Sequence, residues 1–216
     1  CFELKRASAI YGGERVLFDV DIEIRAGERV ALMGRSGAGK STLLNLLHAQ
    51  APDRIALVPQ AAALVRPLSV FHNVYMGRLD RRRTLENLRT LLRPRASDIE
   101  DISRVLGDVE LADKIHARAG ELSGGQQQRV SVARALYNGR AVLLADEPVS
   151  ALDRVQGAAI LRLLKQRHQT LVLALHDVPL ALEHCDRIVV LEFGRKIMDA
   201  PTSGLSPAAL YSVFGG

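Results

Sequence analysis

Residues 29–47 read RVALMGRSGAGKSTLLNLL, and the reading of this stretch decides the fold. It opens on RVALM, a short apolar run that predicts a buried β-strand. A helix is expected to follow from Lys40 to Ala49, ended before Pro52. Between them, Gly34-Arg35-Ser36-Gly37-Ala38-Gly39-Lys40-Ser41 fits G-x-x-x-x-G-K-[ST], in the strand-loop-helix context that the motif requires. Glycines let the backbone turn tightly enough for successive N–H groups to surround a β-phosphate. The helix N-terminus adds its partial positive charge. Lys40 is placed to reach the β- and γ-phosphates, and the Ser41 hydroxyl to ligate Mg²⁺.

Outward from this loop, strands and helices alternate. Upstream, FELKRA and VLFDVDIEI read as strands, the second alternating apolar with acidic positions. Downstream, RIALV (54–58) reads as another strand. The pattern is then helical from about Gln60 to Asn138, with helical spacing in TLENLRTLL (84–92) and DIEDISRVLG (98–107). Strands return at AVLLAD, TLVLAL and RIVVLEF, with a helical segment from about Asp153 to Arg167. This order predicts an α/β protein with a mostly parallel sheet, a small antiparallel β arm and an inserted helical subdomain. One domain over 1–216 is expected, its core from 1–59 and 140–216 and the insertion over about 60–139.

Later strand ends carry further chemistry. AVLLADEP runs apolar residues into Asp146 and Glu147, placing two carboxylates at the mouth of a buried strand. Asp146 suits the Mg²⁺ shell, and Glu147 suits polarising an attacking water. His176 follows TLVLAL directly and is a candidate γ-phosphate sensor. The other five histidines carry no such signal.

A second phosphate-binding arrangement occurs at ELSGGQQQRVSVARAL (121–136). Ser123 is a natural N-cap, with Gln126 three residues on as in a capping box. Gly124 and Gly125 weaken the helix that they begin, and in exchange let bare N–H groups approach an anion closely.

With LSGGQ at Leu122–Gln126, the chain resembles the ATPase subunits of ATP-binding cassette (ABC) transporters over essentially its whole length. The resemblance implies roles for residues that local chemistry leaves open. Tyr11 is similar to the aromatic that stacks on adenine, and Gly34 to Thr42 to the Walker A loop. Gln60 resembles the glutamine that senses Mg²⁺ and faces the membrane subunit. Asp146 and Glu147 correspond to the Walker B aspartate and catalytic glutamate, Ser150 to Asp153 to the loop linking two active sites, and His176 to the switch histidine. The implied catalytic group is Lys40, Glu147 and His176; the implied metal ligands are Ser41, Gln60 and Asp146. ATP contacts are implied for Tyr11, Gly34, Arg35, Ser36, Gly37, Ala38, Gly39, Lys40, Ser41, Thr42, Gln60 and Asp153. Across a head-to-tail dimer they are implied for Ser123, Gly124, Gly125 and Gln126, which explains why one chain carries two phosphate cradles.

Within that family, LVRPLSVFHNVYMGRL (64–79), DRRRTLENL and ADEPVSALD resemble ATPase subunits of phosphonate importers, which implies an importer of phosphonates or a related oxyanion. The implied partners are a second copy of the chain, integral membrane permease subunits and, indirectly, a periplasmic solute-binding protein. One departure stands out. Only about ten residues separate the loop helix from Gln60, where relatives carry an extra β-hairpin, so the antiparallel arm is expected to be small. The chain also stops soon after RKIMDAP, which implies no C-terminal regulatory domain, and it does not begin with methionine, which implies a trimmed start. An exporter or lipoprotein-release ATPase stays open as an alternative, as does a soluble ABC protein of DNA repair or translation. Those soluble proteins carry a long coiled coil or two fused cassettes, and this sequence has neither.

Bulk composition sets the remaining bounds. The 216 residues are 48% hydrophobic and 25% charged, ordinary for a globular chain. A net charge of +5 reads as a solvated basic surface rather than a nucleic-acid footprint, so no nucleic-acid partner is expected. Two cysteines, Cys1 and Cys185, make no disulfide framework and fit a reducing compartment. No apolar run approaches the roughly 20 residues needed to span a bilayer, and no signal peptide opens the chain. A cytoplasmic ATPase, peripheral at the inner face of the membrane, is expected.

Overall fold

A computed structural model describes residues 2–214, except for the side chains of Tyr11 and Phe214. Cys1 and the adenine-facing side chain expected at Tyr11 therefore lie outside the described structure. Two strands open the chain: β1 (Phe2–Tyr11) and β2 (Glu14–Ile24) pair antiparallel into a two-stranded arm. In β2 the alternation holds from Val20 to Ile24, with Val20, Ile22 and Ile24 buried and the acids between them exposed. It slips at Asp19, where φ is +50° and the register shifts, so that Leu17 still points inward.

The central sheet has six strands in the order β4-β5-β6-β3-β7-β8. They are β3 (Arg29–Met33), β4 (Ile55–Val58), β5 (Val142–Asp146), β6 (Thr170–Ala174), β7 (Arg187–Glu192) and β8 (Arg195–Pro201). The first five pair in parallel, and β8 returns antiparallel along β7. Parallel strands buried on both faces read as continuous apolar runs, which is why RVALM, VLLAD and TLVLA lack alternation. The helices are α1 (Lys40–Gln50), α2 (Val70–Tyr75), α3 (Thr84–Leu92), α4 (Ala96–Asp108), α5 (Gly124–Asn138), α6 (Arg154–Arg167), α7 (Val178–His184) and α8 (Pro207–Phe214).

Each face of the sheet has its own core. On one, Val30, Leu32, Leu144 and Val172 pack with Leu43, Leu44 and Leu47 of α1 and with β2. On the other, Ala31, Met33, Leu143 and Leu173 pack with helices from both the middle and the end of the chain. Phe71, Ile102, Leu106 and Val130, all from the helical middle, belong to that same cluster.

The middle is less helical than its sequence suggests. Residues 59–69 form an irregular loop, held by the buried Asn73 side chain, which bonds the backbone of Val65 at 2.8 and 3.1 Å and of Ser69 at 3.0 Å. Among the described residues no helix is long and apolar enough to cross a membrane.

Candidate nucleotide-binding and catalytic site

The strand order brings the chemistry together. β5, β6 and β3 are neighbours, and their C-terminal ends carry Asp146-Glu147, His176 and the Gly34–Lys40 loop side by side. Ligand sites of open parallel sheets lie at such ends.

The loop is shaped by its glycines: Gly34, Gly37 and Gly39 have φ of +147°, +79° and +99°. Gly34 is also a point of close approach, because a Cβ there would lie 2.2 Å from the Leu191 carbonyl oxygen of β7. Lys40 begins α1 and is buried, its Nζ donating to the carbonyls of Gly34 at 2.8 Å and Arg35 at 3.1 Å. Burial pulls its ammonium below the usual lysine range, against the opposing pull of Glu147 and Asp146. Ser36, Gly37, Ala38, Gly39, Lys40, Ser41, Thr42, Gln60 and Glu147 line one cleft of about 180 Å³. Gln60 thus reaches the loop from just beyond the C-terminal end of β4. Gly34, Arg35 and His176 share a neighbouring depression.

Asp146 closes β5 and is buried, with Oδ1 lacking any hydrogen-bond partner among the described residues. A buried acceptor left unpaired costs roughly 1–3 kcal/mol, so this oxygen fits a divalent cation ligand. With the Ser41 hydroxyl it makes a hard, all-oxygen donor set, which suits Mg²⁺ retaining phosphate and water ligands. Among the described residues there is no cluster of three or more His, Cys, Asp or Glu that could hold a metal unaided.

Glu147 stands in the left-handed region, φ +52°, and its Oε1 lies 2.6 Å from His176 Nε2. A second cleft of about 380 Å³ joins Glu147 and His176 to Ser150 and Asp153. Asp153 also caps α6, its Oδ1 accepting from the backbone N–H of Val155 and Gln156, both at 2.9 Å.

The signature stretch lies apart: none of Ser123, Gly124, Gly125 and Gln126 lines either cleft of its own chain. The capping box is present, with Ser123 Oγ accepting from Gln126 N–H at 3.3 Å and Gln126 Oε1 from Ser123 N–H at 3.0 Å. Gly125 has a packing reason as well, since a Cβ there would sit 3.0 Å from the Ala151 carbonyl.

Two residues of α5 escaped the sequence reading. Gln128 bonds the Glu147–Ala151 turn, and Arg134 donates to the carbonyls of Ala63 at 2.9 Å and Ala62 at 3.1 Å, behind Gln60. A signal for Gln128 existed: it shares a helical stripe with the buried Val132 and Ala135, so it is a polar residue facing the core.

The fold and this cleft define a P-loop nucleotide-binding protein. The sequence profile described as "ABC transporter" matches residues 17–150. The chain is 38% identical over 240 aligned positions to the phosphonates import ATP-binding protein PhnC of Pseudomonas entomophila, covering 98% of this chain and 90% of that one. It is 41% identical over 212 positions to PhnC 1 of Pseudomonas savastanoi pv. phaseolicola, covering 85% and 79%. The former alignment is longer than the 216-residue chain, so that relative has residues for which this chain has none. Among solved structures, the dimeric ABC transporter cassette MJ0796 superposes with a TM-score of 0.79 at 28% identity, over 95% of this chain and all of that one. A related MJ0796 dimer holds ADP and Pi. The chain belongs to the ABC transporter family; it is an ATP-binding cassette that hydrolyses ATP to power transport.

Proposed function

We propose that this cassette powers an importer of phosphonates. Its relatives at 38–41% identity over most of the chain carry that printed function, and this likeness is the observation that supports the substrate. The working unit in this reading is a head-to-tail dimer on permease subunits at the inner face of the membrane, fed by a periplasmic solute-binding protein. The core is residues 1–59 and 140–216, with 60–139 as the helical insertion that passes movement to the permease.

Each residue then acts as follows. Gly34, Arg35, Ser36, Gly37, Ala38, Gly39 and Thr42 supply the phosphate cradle, with Tyr11 under the base. Lys40 exchanges its bonds to Gly34 and Arg35 carbonyls for β- and γ-phosphate oxygens. Ser41, Gln60 and Asp146 would hold Mg²⁺, which when bound would supply charge neutralisation to the phosphates. Glu147 accepts the proton of the attacking water, and His176, already bonded to its Oε1, fixes the carboxylate and reaches the γ-phosphate. Ser123, Gly124, Gly125 and Gln126 close over the partner's ATP, and Asp153 links the two sites.

The test is growth on methylphosphonate as sole phosphorus source. A strain lacking this chain should fail on the phosphonate and grow on phosphate, and only the wild-type gene should restore growth. Glu147→Gln should not restore it, although the purified variant should still bind ATP and dimerise. Normal phosphonate growth of the deletion strain would discard the substrate while leaving the ATPase.

A further inference from the structure

Glu147 sits on a turn that its own sequence does not favour. A residue with a Cβ seldom occupies φ +52°, and such a conformation persists only where the surroundings over-determine it. Backbone bonds hold one side: Glu147 N–H donates to Ala174 carbonyl at 3.1 Å, and Ser150 N–H to Glu147 carbonyl at 3.3 Å. Ser150 Oγ donates to that carbonyl as well, at 3.2 Å, and a further hold comes from a residue 19 positions earlier in sequence. Gln128 Nε2 donates to the Glu147 carbonyl at 2.5 Å and to Ser150 Oγ at 3.2 Å, while its Oε1 accepts from Ala151 N–H at 2.8 Å. One amide thus grips both ends of the turn, from a site only 7% exposed.

The far end of this grip matters as much. Gln128 is one helical turn from Gly124, the first residue of α5, and Gly125 packs directly on Ala151. The first turn of α5 and the turn bearing Glu147 are therefore joined directly, by the Gln128 amide and by the packing of Gly125 on Ala151. A buried glutamine whose donor and acceptor are both satisfied is also an ordinary way to close a polar gap. What distinguishes this one is its target, a strained backbone unit one bond from the reacting side chain.

We propose that Gln128 is a positioning residue for hydrolysis: it holds Glu147 in its productive pose and makes that pose depend on where the signature helix stands. The inference rests on Glu147 being the base that takes the water's proton.

The test uses the full chain with Mg-ATP and two variants. Gln128→Met keeps the length and volume without hydrogen bonds. Gln128→Glu keeps the acceptor for Ala151 N–H and loses the donor to Glu147. In both, kcat should fall by on the order of 10- to 100-fold, as expected for a misplaced reacting group. KM for ATP and ATP-driven dimerisation should stay within about threefold, because the phosphate cradle is untouched. A double-mutant cycle supplies the readout that a purely structural role would not move. In single-turnover hydrolysis, adding Gln128→Met to Glu147→Gln should change the residual rate little, since the group through which Gln128 acts is already gone. An equal fall in both backgrounds would overturn the proposal, as would near-normal kcat in Gln128→Met. Parallel losses of kcat, ATP affinity and melting temperature in both variants would reduce Gln128 to a packing residue and equally overturn it. Near-normal turnover of Glu147→Gln alone would instead defeat the base assignment, and the positioning role with it.

Discussion

At the scale of single residues, Lys40 is the most exposed to test. Its ammonium is desolvated and held by two carbonyls, which an anionic phosphate would replace with a charge-assisted bond. Among the described residues no other lysine lines the phosphate cleft. Lys40→Ala should weaken Mg-ATP binding by at least tenfold, read by fluorescent nucleotide titration; affinity close to wild type would remove Lys40 from the phosphates. The loop glycines separate two costs that sequence alone merges. Gly37 has positive φ but open space around it, so Gly37→Ala meets backbone strain alone, roughly 1–2 kcal/mol. Gly34→Ala adds a clash with the Leu191 backbone, and should cost about 3 kcal/mol or more in a urea melt. Equal losses in the two variants would show that β7 yields to the methyl group.

At the scale of elements, helices are legible as helices, but their facing is not always. TLENLRTLL has the leucine spacing of an inward apolar stripe, and α3 forms on schedule. The structure nonetheless buries Thr90 at 1% exposure and leaves Leu85 and Leu92 exposed at 81% and 82%. Polar anchors decide the orientation. Asn87 accepts from Tyr75 Oη at 3.1 Å and donates to Leu79 carbonyl, while Arg82 pairs with the buried Asp98 and Arg95 with Glu86. Periodicity records which residues share a face, and only the neighbours record where that face points. The junction of α6 and β6 shows a similar hidden cost. His168 is buried there, its Nδ1 2.8 Å from the Arg140 carbonyl, and its Nε2 has no partner among the described residues. Burial pushes its pKa below the usual histidine value, as it does for His48 and His184. The unfolded chain therefore binds more protons than the folded one below about pH 6.5. Stability should be full above that pH and decline as pH falls through it. His168→Asn should flatten the slope of urea stability between about pH 7 and pH 5 by up to one proton. An unchanged slope would mean that His168 takes up its proton alike in the folded and unfolded states.

At the scale of the molecule, the P-loop, the carboxylate pair and the signature were readable because each is contiguous and its chemistry needs that spacing. Their meeting across β3, β5 and β6 follows from a strand order that no local pattern carries. The return strand β8 and the short α7 went unread for the same reason. β8 alternates half-buried and exposed positions at an edge, and α7 is seven residues defined chiefly by its Asp177 cap. What the isolated chain leaves open is the purpose of Ser123, which lines neither the phosphate cleft nor the Glu147–His176 cleft of its own chain. Helix N-terminal N–H groups act on an anion only across the first turn, so Ser123 must work on another chain's nucleotide or on none. Heterodimers isolated with two affinity tags separate these cases. Pairing a Lys40→Ala chain with a Ser123→Arg chain places both defects in one composite site if the signature acts across the interface, and leaves the other whole. Pairing the doubly substituted chain with wild type then damages both sites. If Ser123 served its own chain's ATP, the ranking would invert. Occluded ATP is the safer measure, because coupling between sites can silence the turnover of an intact one. About one ATP per dimer is expected in the split pairing and close to none in the other. More occluded ATP in the double-mutant pairing would sink the trans assignment.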